Sequence, residues 1–111
     1  MPLTRSFRET VADRAKADPA FRAALMEEAV QAVADGDTET ARALLRDVAN
    51  ATLGFPALAG ETGIPEKSLM RMLGPSGNPS LRNLGRIIRA LTTHAGVRVT
   101  ARAEPADAAA G

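Results

Sequence analysis

Lys67 and Arg71 stand four residues apart, and on a helix that spacing puts two cations on one face, where both can meet the same polyanion. An Arg so placed can pair bidentately with a guanine edge, and the Lys can reach a base or a phosphate. Glu66 and Met70 share the outward side. The carboxylate can accept from a cytosine amine or complement a helix N-terminus, and the thioether can meet a thymine methyl or pack beside Leu69 and Met72. From Lys67 to Arg102 the chain carries Lys67, Arg71, Arg82, Arg86, Arg89, Arg98 and Arg102, with no Asp or Glu. An acid-free window of that length favours a polyanionic partner, although any single Arg in it also serves as ordinary solvated surface.

Other chemistry is sparse. His94 is the one histidine, set between Thr93 and Ala95 near the end of a helical pattern, and it reads as a surface residue or a helix-terminus cation, not a catalytic base. No HExxH, Walker-type loop or GxSxG occurs. With no Cys there are no disulfides, thiolate metal sites or cysteine nucleophiles, which suits a reducing compartment. Glu27 and Glu28 diverge around a helix, and Asp35 and Asp37 flank a loop without further donors, so these acids read as solvated faces. The expectation is a non-enzyme without metal or cofactor.

No apolar run approaches the roughly 20 residues that span a bilayer, and no apolar stretch follows the basic residues of the N-terminus. A cytoplasmic protein without a membrane partner is expected. The 111 residues fit one domain. Three Phe, no Trp and no Tyr require a core of Ala, Leu, Val, Ile and Met, which suits closely packed helices.

Hydrophobic periodicity and caps set out the elements that must position the basic residues. Phe7, Val11 and Ala15 recur at four-residue intervals behind Ser6 and Glu9, predicting a first helix over 6–17. Asp18-Pro19 starts a second that Gly36 stops, with Phe21, Leu25, Met26, Ala29, Val30 and Val33 as its apolar stripe and Arg22, Glu27, Glu28 and Gln31 opposite. Asp37 or Thr38 caps a third, carrying Ala41, Leu44, Leu45, Val48 and Ala51 and ending at Gly54. Phe55-Pro56 opens a fourth and Met72-Leu73-Gly74-Pro75 closes a fifth. After the turn-rich 74–79 segment, Ser80 caps a sixth bearing Leu81, Leu84, Ile87, Ile88 and Leu91.

Past Gly96 the period changes to two. Val97, Val99 and Ala101 alternate with Arg98, Thr100 and Arg102, which predicts one short strand. A lone strand in a helical chain offers unpaired backbone groups, so pairing with a second copy is expected through Val97, Val99 and Ala101. The fold class expected is therefore all-α, a helical bundle with one short C-terminal β-strand joining a dimer. Residues 104–111, rich in Ala, are expected to be disordered.

Between Phe55 and Leu73 lie the parts of a helix-turn-helix: small Ala59 inside the first helix, Gly63 at the turn, and Leu58, Ile64, Leu69 and Met72 to lock the angle. With Gly77-Asn78-Pro79-Ser80-Leu81 and Asn83-Leu84 following, residues 38–91 resemble the phage-repressor-like, or XRE-type, helix-turn-helix domain. With the N-terminal extension and the Val-Arg-Val segment, residues 5–103 resemble addiction-module antidotes, that is, antitoxins. The resemblance implies a recognition helix in the major groove, with Ser68 added to Glu66, Lys67, Met70 and Arg71. It also implies phosphate contacts from Ser76, Gly77, Asn78 and Arg82. Many family members begin the recognition helix with Ser or Thr and the helix before it with Gln, where this chain has Pro65 and Phe55-Pro56.

The division implied is an N-terminal helical extension (1–37), a DNA-binding domain (38–96), a dimerisation strand (97–103) and the tail. Residues 1–50 carry seven basic and nine acidic groups, a net −2, whereas 51–111 carry seven and four, a net +3. A basic working face on the C-terminal half follows. The partners expected are double-stranded operator DNA, a second copy of the chain, and a small toxin bound by the acidic N-terminal helices around Glu27, Glu28 and Asp35. A stand-alone repressor and a protein adaptor are the alternatives.

Overall fold

The computed structural model describes residue 11 and residues 13–107, whose regular elements are all helices, with no strand among the described residues. A helical stretch at 13–17 precedes α1 (Pro19–Ala34), α2 (Thr38–Ala51), α3 (Gly54–Thr62), α4 (Glu66–Met72) and α5 (Leu81–Ala95). The cap expected at Ser6, and the tail beyond residue 107, lie outside the described residues. No helix among those described is long and apolar enough to cross a membrane.

Caps fix most of these boundaries. Asp18 Oδ1 accepts from the amides of Ala20 (3.0 Å) and Phe21 (3.3 Å), with Pro19 at the first helical position where its missing N–H costs nothing. Asp37 caps α2 by accepting from the Thr40 amide at 3.2 Å, and Ser80 Oγ caps α5 by accepting from the Asn83 amide at 3.1 Å. Gly96 ends α5 in the left-handed region, and the Val97 amide reaches back to the Thr92 carbonyl at 3.0 Å, a Schellman closure. Gly54, expected to end α2, instead begins α3.

One core joins all five helices. Met26 and Ala29 of α1, Leu45, Val48 and Ala49 of α2, Phe55 and Leu58 of α3, Leu69 of α4, and Ile87 and Leu91 of α5 pack with Ile64 and Leu73 from the connections. Each fully buried Leu or Ile contributes about 1.5–3 kcal/mol by leaving water. Leu69 is the only residue α4 buries completely, so truncating it to Ala would leave that helix without its anchor, at a cost of about 2–5 kcal/mol.

Two further expectations are corrected. Arg22 is not on the solvent face of α1: positions 22, 26 and 29 share one side, and the half-buried Arg22 donates Nε to the Ala95 carbonyl (3.0 Å) and Nη1 to those of Ala15 (2.9 Å) and Lys16 (3.0 Å). It thereby satisfies carbonyls at the ends of two helices. Leu81 is not core but 85% exposed, because it occupies the first turn of α5, ahead of the half-buried Leu84.

The C-terminal segment, expected to pair with a second copy, forms no strand in the single chain. Residues 97–107 have no regular secondary structure, and Val97 and Val99 pack half-buried against the core. A chain lying across one apolar surface shows the same alternation as a strand, since every second side chain turns inward in either case.

Candidate nucleic-acid interface

α3 and α4 are joined by a three-residue turn, 63–65, and its geometry is set by side chains on both sides. Gly63 has φ +73°, the left-handed conformation that closes α3, and its amide donates to the Ala59 carbonyl at 2.9 Å. The buried Thr62 hydroxyl donates to the Leu58 carbonyl (2.8 Å) and accepts from the Ile64 amide (3.2 Å). Ile64 then inserts into the core, and Pro65 stands at the N-cap of α4 without a side-chain cap.

This arrangement turns Glu66, Lys67, Met70 and Arg71 outward, all exposed, while Ser68 is half-buried and Leu69 faces the core. Met70 is 52% exposed, so of its two expected roles the outward one fits its position. Glu66 in the first turn and Arg71 in the last both complement the dipole of α4.

The following segment folds back against the end of α4. Gly77 is buried there, and a Cβ on it would collide with the Met72 carbonyl and crowd the Arg71 carbonyl oxygen, so the close approach admits no side chain. Its amide donates to the Gly74 carbonyl at 3.0 Å. Ser76, Asn78 and Arg82 are exposed around this turn. Asn78 and Pro79 also edge a cavity of about 70 Å³ shared with Val33 of α1 and Ala41, Arg42 and Leu45 of α2.

Two arginines of α2, which the sequence did not single out, hold α4 and this turn in place. Arg42 donates Nε to the Gly74 carbonyl and Nη2 to the Pro75 carbonyl, both at 2.9 Å. Arg46 donates Nη1 to the Leu73 carbonyl at 2.9 Å. A helix end leaves carbonyls without intrahelical partners, and a planar guanidinium is a rigid, charged donor for them. Their spacing of four places both on one face of α2, which was a visible signal, but their targets lie about 30 residues further along the chain and are brought near only by the fold.

His94 and Glu61 pair across α5 and α3, Nε2 to Oε1 at 3.1 Å, so the histidine serves as a tie between helices. Glu27, Glu28 and Asp35 are exposed on α1 and the turn after it. Asp35 accepts from Gln31 Nε2 at 2.9 Å, and no group of three metal-ligating side chains assembles among the described residues.

Comparison with family models, with curated proteins and with solved structures gives no match.

Proposed function

We propose that this chain is a sequence-specific, DNA-binding transcriptional regulator of the phage-repressor-like helix-turn-helix type. The observation that carries the reading is the outward pair Lys67 and Arg71 on α4, within a window of seven cations and no acid. On this reading α4 enters the major groove, Arg71 reads a base edge, and Ser76, Asn78 and Arg82 contact phosphates. Two copies bind a palindromic operator, joined by backbone pairing of the segment after Gly96. Because the Val97 amide is engaged in closing α5, that pairing begins at Arg98. In its finer form the proposal is an antitoxin that represses its own operon and binds a small basic toxin through Glu27, Glu28 and Asp35.

A titration of Arg71→Ala against the chain's own promoter tests the base-reading role. Loss of a bidentate contact should cost about 1–3 kcal/mol and relax base preference, whereas loss of a phosphate contact weakens all sequences alike. Unchanged affinity removes Arg71 from the interface. The adaptor reading is favoured by one feature, the exposure of Met70 and Leu81, the two large apolar side chains left in solvent among the described residues. Such side chains, together with a Pro65 that brings no polar donor, suit a protein partner better than a phosphate backbone.

A further inference from the structure

Arg82, Arg86 and Arg89 occupy positions i, i+4 and i+7 of α5, a spacing that aligns them on one helical face over about 10.5 Å of rise. All three are exposed, and none is held by an ion pair among the described residues. Arg86 and Arg89 line an open cleft of about 530 Å³ between α3 and α5, with the hydroxyl-bearing Thr62 and Thr93. The one acid lining that cleft, Glu61, has its Oε1 engaged by His94 Nε2 at 3.1 Å, which ties that oxygen to α5.

The stripe starts where the turn before α5 carries Ser76 and Asn78, and it runs along the helix away from them. Like-charged side chains on one face repel each other, an arrangement that an approaching polyanion relieves. An acidic protein surface would need to match three guanidiniums in register. A nucleic-acid backbone presents negative charge continuously and meets the stripe in any register.

We propose that Arg86 and Arg89 form a second phosphate-contacting track, which prolongs the interface from Arg82 along α5 and enlarges the footprint on duplex DNA without reading sequence. This inference rests on the DNA-binding reading of α4. Each phosphate neutralised adds about 0.9 to the slope of log affinity against log salt, so the two arginines together supply about 1.8 of that slope.

The test compares the full chain with Arg86→Gln/Arg89→Gln, titrated against duplex DNA of its own promoter from 50 to 200 mM salt. The intact chain should lose about 12-fold more affinity across that range than the double variant, with the ratio of promoter to random-sequence affinity unchanged. Arg86→Lys/Arg89→Lys should keep the slope of the intact chain, which separates charge from fold. If the intact chain binds DNA and the Gln variant keeps its slope, the second track is refuted and the α4 reading stands. If the intact chain binds no duplex at 50 mM salt, the α4 reading and the track both fail.

Discussion

Arg42→Met keeps the aliphatic stem of the side chain and removes the guanidinium, so the Pro75 carbonyl loses that donor and the Gly74 carbonyl keeps only the Gly77 amide. The Gly74 contact is partly buried, so its loss sits at the low end for a charge-assisted bond, about 1.5 kcal/mol. The Pro75 contact is exposed and water replaces it, leaving about 0.5 kcal/mol. The sum, about 2 kcal/mol, divided by an unfolding entropy of roughly 0.2 kcal/mol/K for about 100 residues, lowers Tm by about 10 °C. Thermal unfolding followed by circular dichroism measures this. Amide exchange should show α4 and the 74–77 turn losing protection before α2 and α5, because α4 buries only Leu69 completely. Arg42→Lys should rescue less than half of the loss, since one ammonium cannot span two carbonyls with fork geometry. A Tm within 2 °C of the parent, with α4 as protected as before, would show that the guanidinium does not hold the helix.

Gly77→Ala should be among the more destabilising single changes, by about 1–3 kcal/mol in urea unfolding, because its Cβ meets the backbone of Met72 and not a side chain that can move. A stability unchanged within 0.5 kcal/mol would contradict the close approach. The carboxyl of Asp37 is held below its ordinary value of 3.8 by hydrogen bonds to the Thr40 hydroxyl and amide. Below 3.8 the folded chain therefore binds fewer protons at this site than the unfolded one, and the stabilisation, fully present above that value, is lost as pH falls through the folded pKa. Asp37→Asn retains a good cap and should flatten the fall of Tm below pH 4, while an unchanged acid limb would exclude this carboxyl as a contributor. Truncation after Gly96 should turn a dimer into a monomer in sedimentation; a truncated chain as dimeric as the full one places the interface elsewhere.

Local chemistry made the helices legible, since Asp18, Asp37 and Ser80 cap through bonds that span two or three residues. Gly63 and Gly96 likewise stop helices through backbone conformations that glycine favours. Features that depend on distant parts of the chain were not legible. Arg22 read as a solvated cation, and Arg42 and Arg46 drew no reading, because the carbonyls they hold lie as far as 73 residues away. Gly77 read as a turn former, whereas its constraint is the proximity of the α4 backbone. At Val97 and Val99 the alternation was read correctly as an inward–outward pattern, but such a pattern does not distinguish a paired strand from a chain laid on its own core. The outward side of α4 was legible in Glu66, Lys67 and Arg71, because Leu69 between them had to be buried, whereas Met70 had carried a packing reading as well as the outward one.

Whether α4 and the turn after it form a DNA-reading face is decided by titrating the intact chain against two duplexes of equal length, its own promoter and a random sequence. A DNA-reading face retards both at low salt, binds the promoter more tightly, and loses affinity for each as salt rises. No complex with either duplex at low salt, or equal affinity for the two at every salt concentration, would contradict it.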